Sequence, residues 1–137
     1  MKLNDLVRRI DHTGASDADI TAITYDSRKA GPGALFVCLV GAWLDGHTYA
    51  ESAYRNGCRA FLVERTLVLP ADAVQIVTED TRAALAVIGA DFYGNPADEL
   101  HLIGITGTKG KTTTALLTAA IMTEAGLPCA YIGSNGV

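Results

Sequence analysis

A chain of 137 residues, 49% hydrophobic and 19% charged, is long enough for one ordinary domain or one domain and the start of another, and too apolar to be a disordered segment. Its formal net charge of -4 excludes a general nucleic-acid surface, which needs clustered positive charge, yet allows a small anionic ligand at one local site. No run approaches the roughly 18 apolar residues of a membrane span, and the opening MKLNDLVRRIDHTG lacks the apolar core and cleavage site of a secretory signal. A cytoplasmic protein with no membrane partner is expected. Cys38, Cys58 and Cys129 are odd in number and scattered, without a CxxC or Cys/His cluster, so buried reduced thiols are expected rather than disulfides or a zinc site.

In chain order, Leu3, Leu6, Val7 and Ile10 recur at helical spacing and predict a short amphipathic helix over residues 3–11. A strand, ITAITY, then leads into Asp26-Ser27-Arg28. After the Gly31-Pro32-Gly33 turn, ALFVCLV is apolar throughout, which suits a strand covered on both faces. The loop GAWLDGH follows, then a helix over 48–56 stopped by Gly57, a strand AFLVE, a strand VQIVT and a helix over 79–93. This alternation points to an α/β domain, taken here as mixed-sheet. YGNPADE concentrates turn formers, and a fresh strand-loop-helix unit begins at His101, so one domain is expected over 1–97 and the beginning of a second over 98–137. The last pieces are a helix from Lys111, a strand PCAYIG and the segment SNGV. So few elements cannot cover both faces of a sheet, and the chain reads as part of something longer.

The segment LIGITGTKGKTTTALLTAAI carries the most chemistry. The strict pattern G-x-x-x-x-G-K-[ST] needs a glycine five residues before Gly110, where Ile105 stands. The working parts are present all the same. A strand ends near Thr106, the loop Gly107-Thr108-Lys109-Gly110 follows, and Lys111 and Thr112 open a helix. Glycines let successive N–H groups converge on phosphate oxygens, and the helix start adds unpaired donors and positive dipole. Lys111 can then reach the β and γ phosphates and Thr112 can ligate a bridging Mg2+. Thr113 adds a further phosphate donor, whereas Thr114 caps or packs.

These residues together resemble the Mur ligase family. GITGTKGKTTT is similar to that family's ATP loop, and YDSRKAGPGALFVCLVGAWLDGHTYAESAYRNGCRAFLVE to its N-terminal domain, with a D-S-R triplet, a P-G-x-L-F strand and a D-G-H loop in that order. EDTRAALAVIGADFYGNPADELHLIGITGT is most similar to the UDP-N-acetylmuramoyl-tripeptide synthetase branch. The resemblance implies an N-terminal UDP-substrate domain followed by the start of a Rossmann-like phosphate-loop ATPase domain, in an ATP-dependent, monomeric amide-bond-forming enzyme. Its substrates would be UDP-N-acetylmuramoyl-L-alanyl-D-glutamate and a diamino acid, L-lysine or meso-diaminopimelate, joined through an acyl phosphate. ATP and Mg2+ would be held by Gly107, Thr108, Lys109, Gly110, Lys111, Thr112 and Thr113, with Lys111 catalytic and Thr112 on the metal. Tyr25, Ser27, Ala42, Trp43 and Leu44 would contact the uridine diphosphate part, with Asp45-Gly46-His47 shaping their loop.

Without the resemblance, Asp26-Ser27-Arg28 reads as an Asx-type turn and His47 as structural, while His12 and His101 carry no assignment. Arg28 has the donors to pair with a carboxylate and fix a loop. Trp43 could fill a core, but its glycine and aspartate neighbours put it on a loop, where a ring can stack on a base. Lys109 replaces the family's usual asparagine, and Ser134 stands where threonine is frequent. The family's later magnesium ligands, carbamylated lysine and acceptor domain have no counterpart, so this chain alone is expected to be inactive. A D-alanyl-D-alanine-adding ligase of the neighbouring branch, a non-catalytic UDP-sugar-binding module and an ordinary phosphate-loop kinase are the competing readings.

Overall fold

Apolar runs bounded by glycine and proline become short strands, and amphipathic runs become the helices between them. The computed structural model describes residues 1–134, so Asn135, Gly136 and Val137 of the SNGV segment lie outside the described residues. In chain order the elements are α1 (Leu3–Val7), β1 (Ala22–Thr24), β2 (Ala34–Val37), α2 (Ala50–Arg55), β3 (Ala60–Val63), β4 (Val74–Val77), α3 (Thr81–Phe92) and α4 (Lys111–Glu124), with 3-10 turns at Ser27–Lys29, Gly46–Tyr49 and Pro96–Glu99. Contacts divide the chain into two compact units, Met1–Glu99 and Leu100–Val137.

In the first unit the sheet runs β1-β2-β3-β4, and all three pairings are parallel. The α/β class therefore holds, but the mixed sheet expected from the sequence is a parallel one. Its antiparallel character is confined to the bridge between Thr13 and Val77 at the outer edge of β4. Parallel pairing places covering elements on both faces of the sheet, and it explains why β2 and β3 are buried on both faces.

The period of two along each strand sends alternate residues to two cores. Leu35, Val37, Leu62 and Ile76 pack with Leu3, Leu6 and Val7 of α1 and Ala84 and Ile88 of α3. Phe36, Cys38, Phe61 and Val63 pack with Ala50 and Ala53 of α2, and the two phenyl rings meet edge to face at 6.2 Å. Each such large buried side chain contributes about 1.5–3 kcal/mol by leaving water.

Element ends move where local hydrogen bonds win. α1 stops at Val7 rather than near residue 11, because Thr13 exchanges two 2.9 Å bonds with Val77 and draws the chain along the sheet edge. α3 starts at Thr81 rather than 79, because the Asp80 carboxylate caps it by accepting the N–H groups of Arg82 and Ala83, each at 2.9 Å.

Among the described residues of the second unit, α4 is the one helix or strand assigned. The strands expected over 101–106 and 128–133 are not assigned, since a strand exists only through a ladder partner and these segments find none among the described residues. Leu102, Ile103 and Ile132 are exposed accordingly. No described helix is long and apolar enough to cross a membrane.

The cysteines divide. Cys38 and Cys58 are buried, with burial pushing the Cys38 thiol up to about 12 and the Cys58 thiol up as well. Cys129 is exposed, contrary to the expectation of three buried thiols. At pH 8 iodoacetamide is expected to alkylate one thiol, Cys129, in the native chain and all three in urea, as read by intact mass. Equal labelling of all three without denaturant would contradict the buried positions.

Candidate functional site

Parallel strands end on the same side, so the loops after β1, β2 and β3 and the start of α3 gather at one edge of the sheet. This is where open α/β sheets bind ligands. After β1, Tyr25 is 68% exposed. Asp26 then caps the 3-10 turn, accepting the Arg28 N–H at 3.1 Å and the guanidinium through Nε at 2.9 Å and Nη2 at 2.7 Å. The Arg28 guanidinium and its backbone N–H hold the Asp26 carboxyl down at about 2. Arg28 is thus consumed within its own turn. Ser27 is half-buried, and Asn56 Nδ2 fixes its carbonyl at 2.8 Å; among the described residues its hydroxyl has no partner and is free for a ligand.

After β2 the chain forms a tight excursion. Gly41 N–H donates to the Leu44 carbonyl and Gly46 N–H to that of Leu39, both at 2.8 Å, and Val40 bridges Asp45. Its tip holds Ala42, Trp43 and Leu44 in solvent, Trp43 at 96% exposure. The tryptophan is therefore not a core residue. A large ring held in water by a hydrogen-bonded base is suited to stacking on a planar ligand.

His47, only 5% exposed, anchors that base. The Glu64 N–H donates to its Nε2 at 2.9 Å, so the other nitrogen, Nδ1, carries the proton and donates to Asp45 Oδ1 at 2.6 Å. This is the structural role expected of it. Asp45 also accepts the His47 N–H at 2.9 Å and pairs with Arg65. The Arg65 guanidinium first, and the His47 N–H second, hold the Asp45 carboxyl far below its ordinary value of 3.8.

A lowered carboxyl stabilises the fold above its unfolded value, and that contribution is lost as pH falls through the folded one. Urea stability is thus expected to be insensitive to Asp45 from pH 7 to about 5 and to decline below about 4. In Asp45→Asn, stability at pH 7 drops by about 1–3 kcal/mol and the acid decline is shallower. Superimposable acid profiles for the two proteins would contradict this network.

In the second unit Gly107 (φ +150°) and Gly110 (φ +77°) bring the loop onto α4 through conformations that favour glycine. No side chain caps α4, so the N–H groups of Lys111, Thr112 and Thr113 face whatever anion lies over the loop. Lys111 Nζ donates to the Gly107 carbonyl at 2.6 Å, so the ammonium already lies across the loop. Thr112 is half-buried, and Thr108, Lys109 and Thr113 are exposed. Uncapped donors, a cation over the loop and a hydroxyl beside it fit a magnesium-bound triphosphate. The adjoining cleft of about 560 Å³, lined by Ile103, Ile105, Ala115 and Cys129 among others, is largely apolar and lies beneath the helix.

A parallel α/β unit with its loops gathered at one sheet edge, followed by a glycine loop that opens an uncapped helix, defines an α/β protein with a candidate anion site. Comparison with known proteins specifies which kind. The profile described as "Mur ligase family, catalytic domain" matches residues 19–93, and the chain belongs to the Mur ligase family. The UDP-N-acetylmuramoyl-L-alanyl-D-glutamate–2,6-diaminopimelate ligases of Syntrophomonas wolfei and Bacillus licheniformis are each 42% identical over 98% of this chain. The chain spans about 28% of their length. A crystal structure of MurF from Acinetobacter baumannii aligns with TM-score 0.66 at 31% identity, covering 89% of this chain and 26% of that one. The MurF ligase from Thermotoga maritima in complex with ADP aligns with TM-score 0.57 at 26% identity, covering 80% and 25% respectively.

Tyr25, Ser27 and the Ala42–Leu44 tip come to one sheet edge, and Gly107 to Thr113 form one continuous loop and helix start. Sequence reasoning missed Glu64, Arg65, Thr81 and Arg82, which bind the edge loops together. Thr81 Oγ1 lies 3.0 Å from the Cys38 carbonyl oxygen and 2.9 Å from Glu64 Oε1, and Arg82 Nη2 donates to the Val40 carbonyl at 3.3 Å. Partners 17 to 43 residues apart leave no local pattern to read.

Proposed function

We propose that this chain is the UDP-substrate-binding and phosphate-loop part of an ATP-dependent ligase of peptidoglycan precursor synthesis, of the MurE type. In this reading the complete protein joins meso-diaminopimelate to UDP-N-acetylmuramoyl-L-alanyl-D-glutamate and works as a monomer in the cytoplasm. The observation that carries it is the pairing, in one chain, of an edge bearing exposed Tyr25 and Trp43 and half-buried Ser27 with an uncapped glycine loop and helix start. The two ligases at 42% identity favour the diaminopimelate-adding type over the D-alanyl-D-alanine-adding one, whose solved members stand at 31% and 26%.

Residues 1–97 are assigned to the UDP substrate and 98–137 to the opening of the ATPase domain. Ser27 would donate or accept at the diphosphate-ribose part, Tyr25 and Trp43 would cover the planar base, and Ala42 and Leu44 would line the contact. Gly107 to Thr113 would hold the triphosphate, with Thr112 Oγ1 on Mg2+ and Lys111 Nζ exchanging its Gly107 carbonyl for phosphate oxygens. Bound MgATP would supply the phosphoryl group that activates the substrate carboxylate as an acyl phosphate, releasing ADP, and the diamino acid's amine would then displace phosphate from that carbonyl. The chain's own part in that step is to offset charge at the transferring phosphoryl group through Lys111 and the α4 N–H groups.

Isothermal titration of the 137-residue chain with UDP-N-acetylmuramoyl-L-alanyl-D-glutamate, UDP and ATP tests the assignment. Saturable binding of both UDP ligands is expected. Failure of a folded chain and of the full-length protein alike to bind either would reject it. Incorporation of diaminopimelate, as against D-alanyl-D-alanine, by the full-length protein separates the two ligase types.

A further inference from the structure

We propose that Thr81 is a positioning residue for the UDP ligand, acting with Glu64 and Arg82 to tie the first turn of α3 to the loop that carries Trp43. The proposal rests on the functional reading above. Ala42, Trp43 and Leu44 stand largely in solvent, so the tip's conformation is set chiefly by its base. That base is attached to the rest of the sheet edge at a few polar points. Cys38, where the chain leaves β2, presents its carbonyl to Thr81 Oγ1 at 3.0 Å. Two residues on, the Val40 carbonyl accepts from Arg82 Nη2 at 3.3 Å. Consecutive residues of α3 therefore hold the two ends of the strand exit.

The Thr81 hydroxyl is not needed to start α3, because Asp80 already caps it. Nor is it a surface hydroxyl, since Thr81 is fully buried. Its second neighbour, Glu64 Oε1, accepts the Thr81 N–H at 3.1 Å, and the Glu64 N–H in turn reaches His47 at 2.9 Å. The path Thr81–Glu64–His47–Asp45 thus meets the far end of the same loop. Both stems of the Trp43 excursion are held from α3 and the β3 exit, and a partly buried polar path of this kind specifies one loop geometry.

Trp43 is the chain's single tryptophan, so its fluorescence reports the loop directly. Thr81→Val keeps the shape and removes the hydroxyl. It is expected to lower the steady-state anisotropy of Trp43 in the free protein and to weaken UDP binding by about five- to tenfold. Thr81→Ser is expected to restore both to within twofold of wild type. Ile88→Val, a buried trim further along the same helix, should lower urea stability and leave Trp43 anisotropy and UDP affinity alone.

Wild-type UDP binding with Thr81→Val unchanged in both readouts overturns the proposal and leaves the functional reading standing. A folded wild type with no response to UDP overturns the reading, and the proposal with it. Should Thr81→Val lose its cooperative urea transition, the exposed Arg82→Met decides instead: unchanged anisotropy and affinity there overturn the proposal, and a fall in both supports it.

Discussion

Lys111→Ala, made in the full-length protein, is expected to lower ATP-dependent phosphate release on the order of a thousandfold while changing UDP-ligand affinity by less than about twofold. The asymmetry follows from where the side chain stands. Lys111 opens α4, and its Nζ is held 2.6 Å from the Gly107 carbonyl, across a loop whose helix N–H groups carry no cap. Removing it deletes the cation that opens the helix and one exposed hydrogen bond, whose structural cost is about 0.5–1.5 kcal/mol. The fold should survive, so lost turnover reports chemistry. Lys111→Arg is not a conservative control, because a planar fork cannot replace a point charge over the loop. Phosphate release by Lys111→Ala within tenfold of wild type would remove Lys111 from the catalytic role.

Gly46→Ala is expected to be as damaging at the other site, for a steric reason. A Cβ at residue 46 would lie 2.7 Å from the Leu39 nitrogen, 2.8 Å from its oxygen and 3.0 Å from the Cys38 carbonyl carbon. All three are backbone atoms at the β2 exit, so no side-chain rotation relieves the clash. The turn must open, the 2.8 Å bond from Gly46 N–H to the Leu39 carbonyl is lost, and His47 is levered from Glu64 and Asp45. A loss of about 1–3 kcal/mol in urea stability is expected, with UDP binding abolished. Gly89→Ala is the contrast. It lies inside α3 with nothing within 4 Å of the added carbon, and is expected to stabilise by about 0.5–1 kcal/mol. If Gly46→Ala melted with wild type and bound UDP normally, the turn geometry would be wrong.

Legibility in the sequence followed the range of the interactions. The glycine loop and helix start from Gly107 to Thr113 were readable from the sequence, because their parts are consecutive and set by local backbone geometry. Asp26-Ser27-Arg28 was readable as a turn for the same reason, and the Asp26–Arg28 pair closes within it. Helix ends were less so. The α1 pattern continues to Ile10, yet Thr13 pairs with Val77, sixty-four residues away, and pulls the chain out of the helix. The expected strands at 101–106 and 128–133 show the converse, as β-forming composition yields no strand where the described residues supply no ladder partner.

By itself, then, the sequence determined the α/β class, the glycine loop that opens the last helix at Lys111, and the Asp-Gly-His turn below an exposed tryptophan, all properties of short contiguous stretches. Tertiary structure alone decided that the sheet is parallel, that its C-terminal edge brings Tyr25, Ser27 and Trp43 together, and that Glu64, Thr81 and Arg82 hold the Trp43 loop. Strand direction and cross-sheet hydrogen bonds depend on which segments become neighbours after the chain has crossed back over itself, and no window of consecutive residues contains that information.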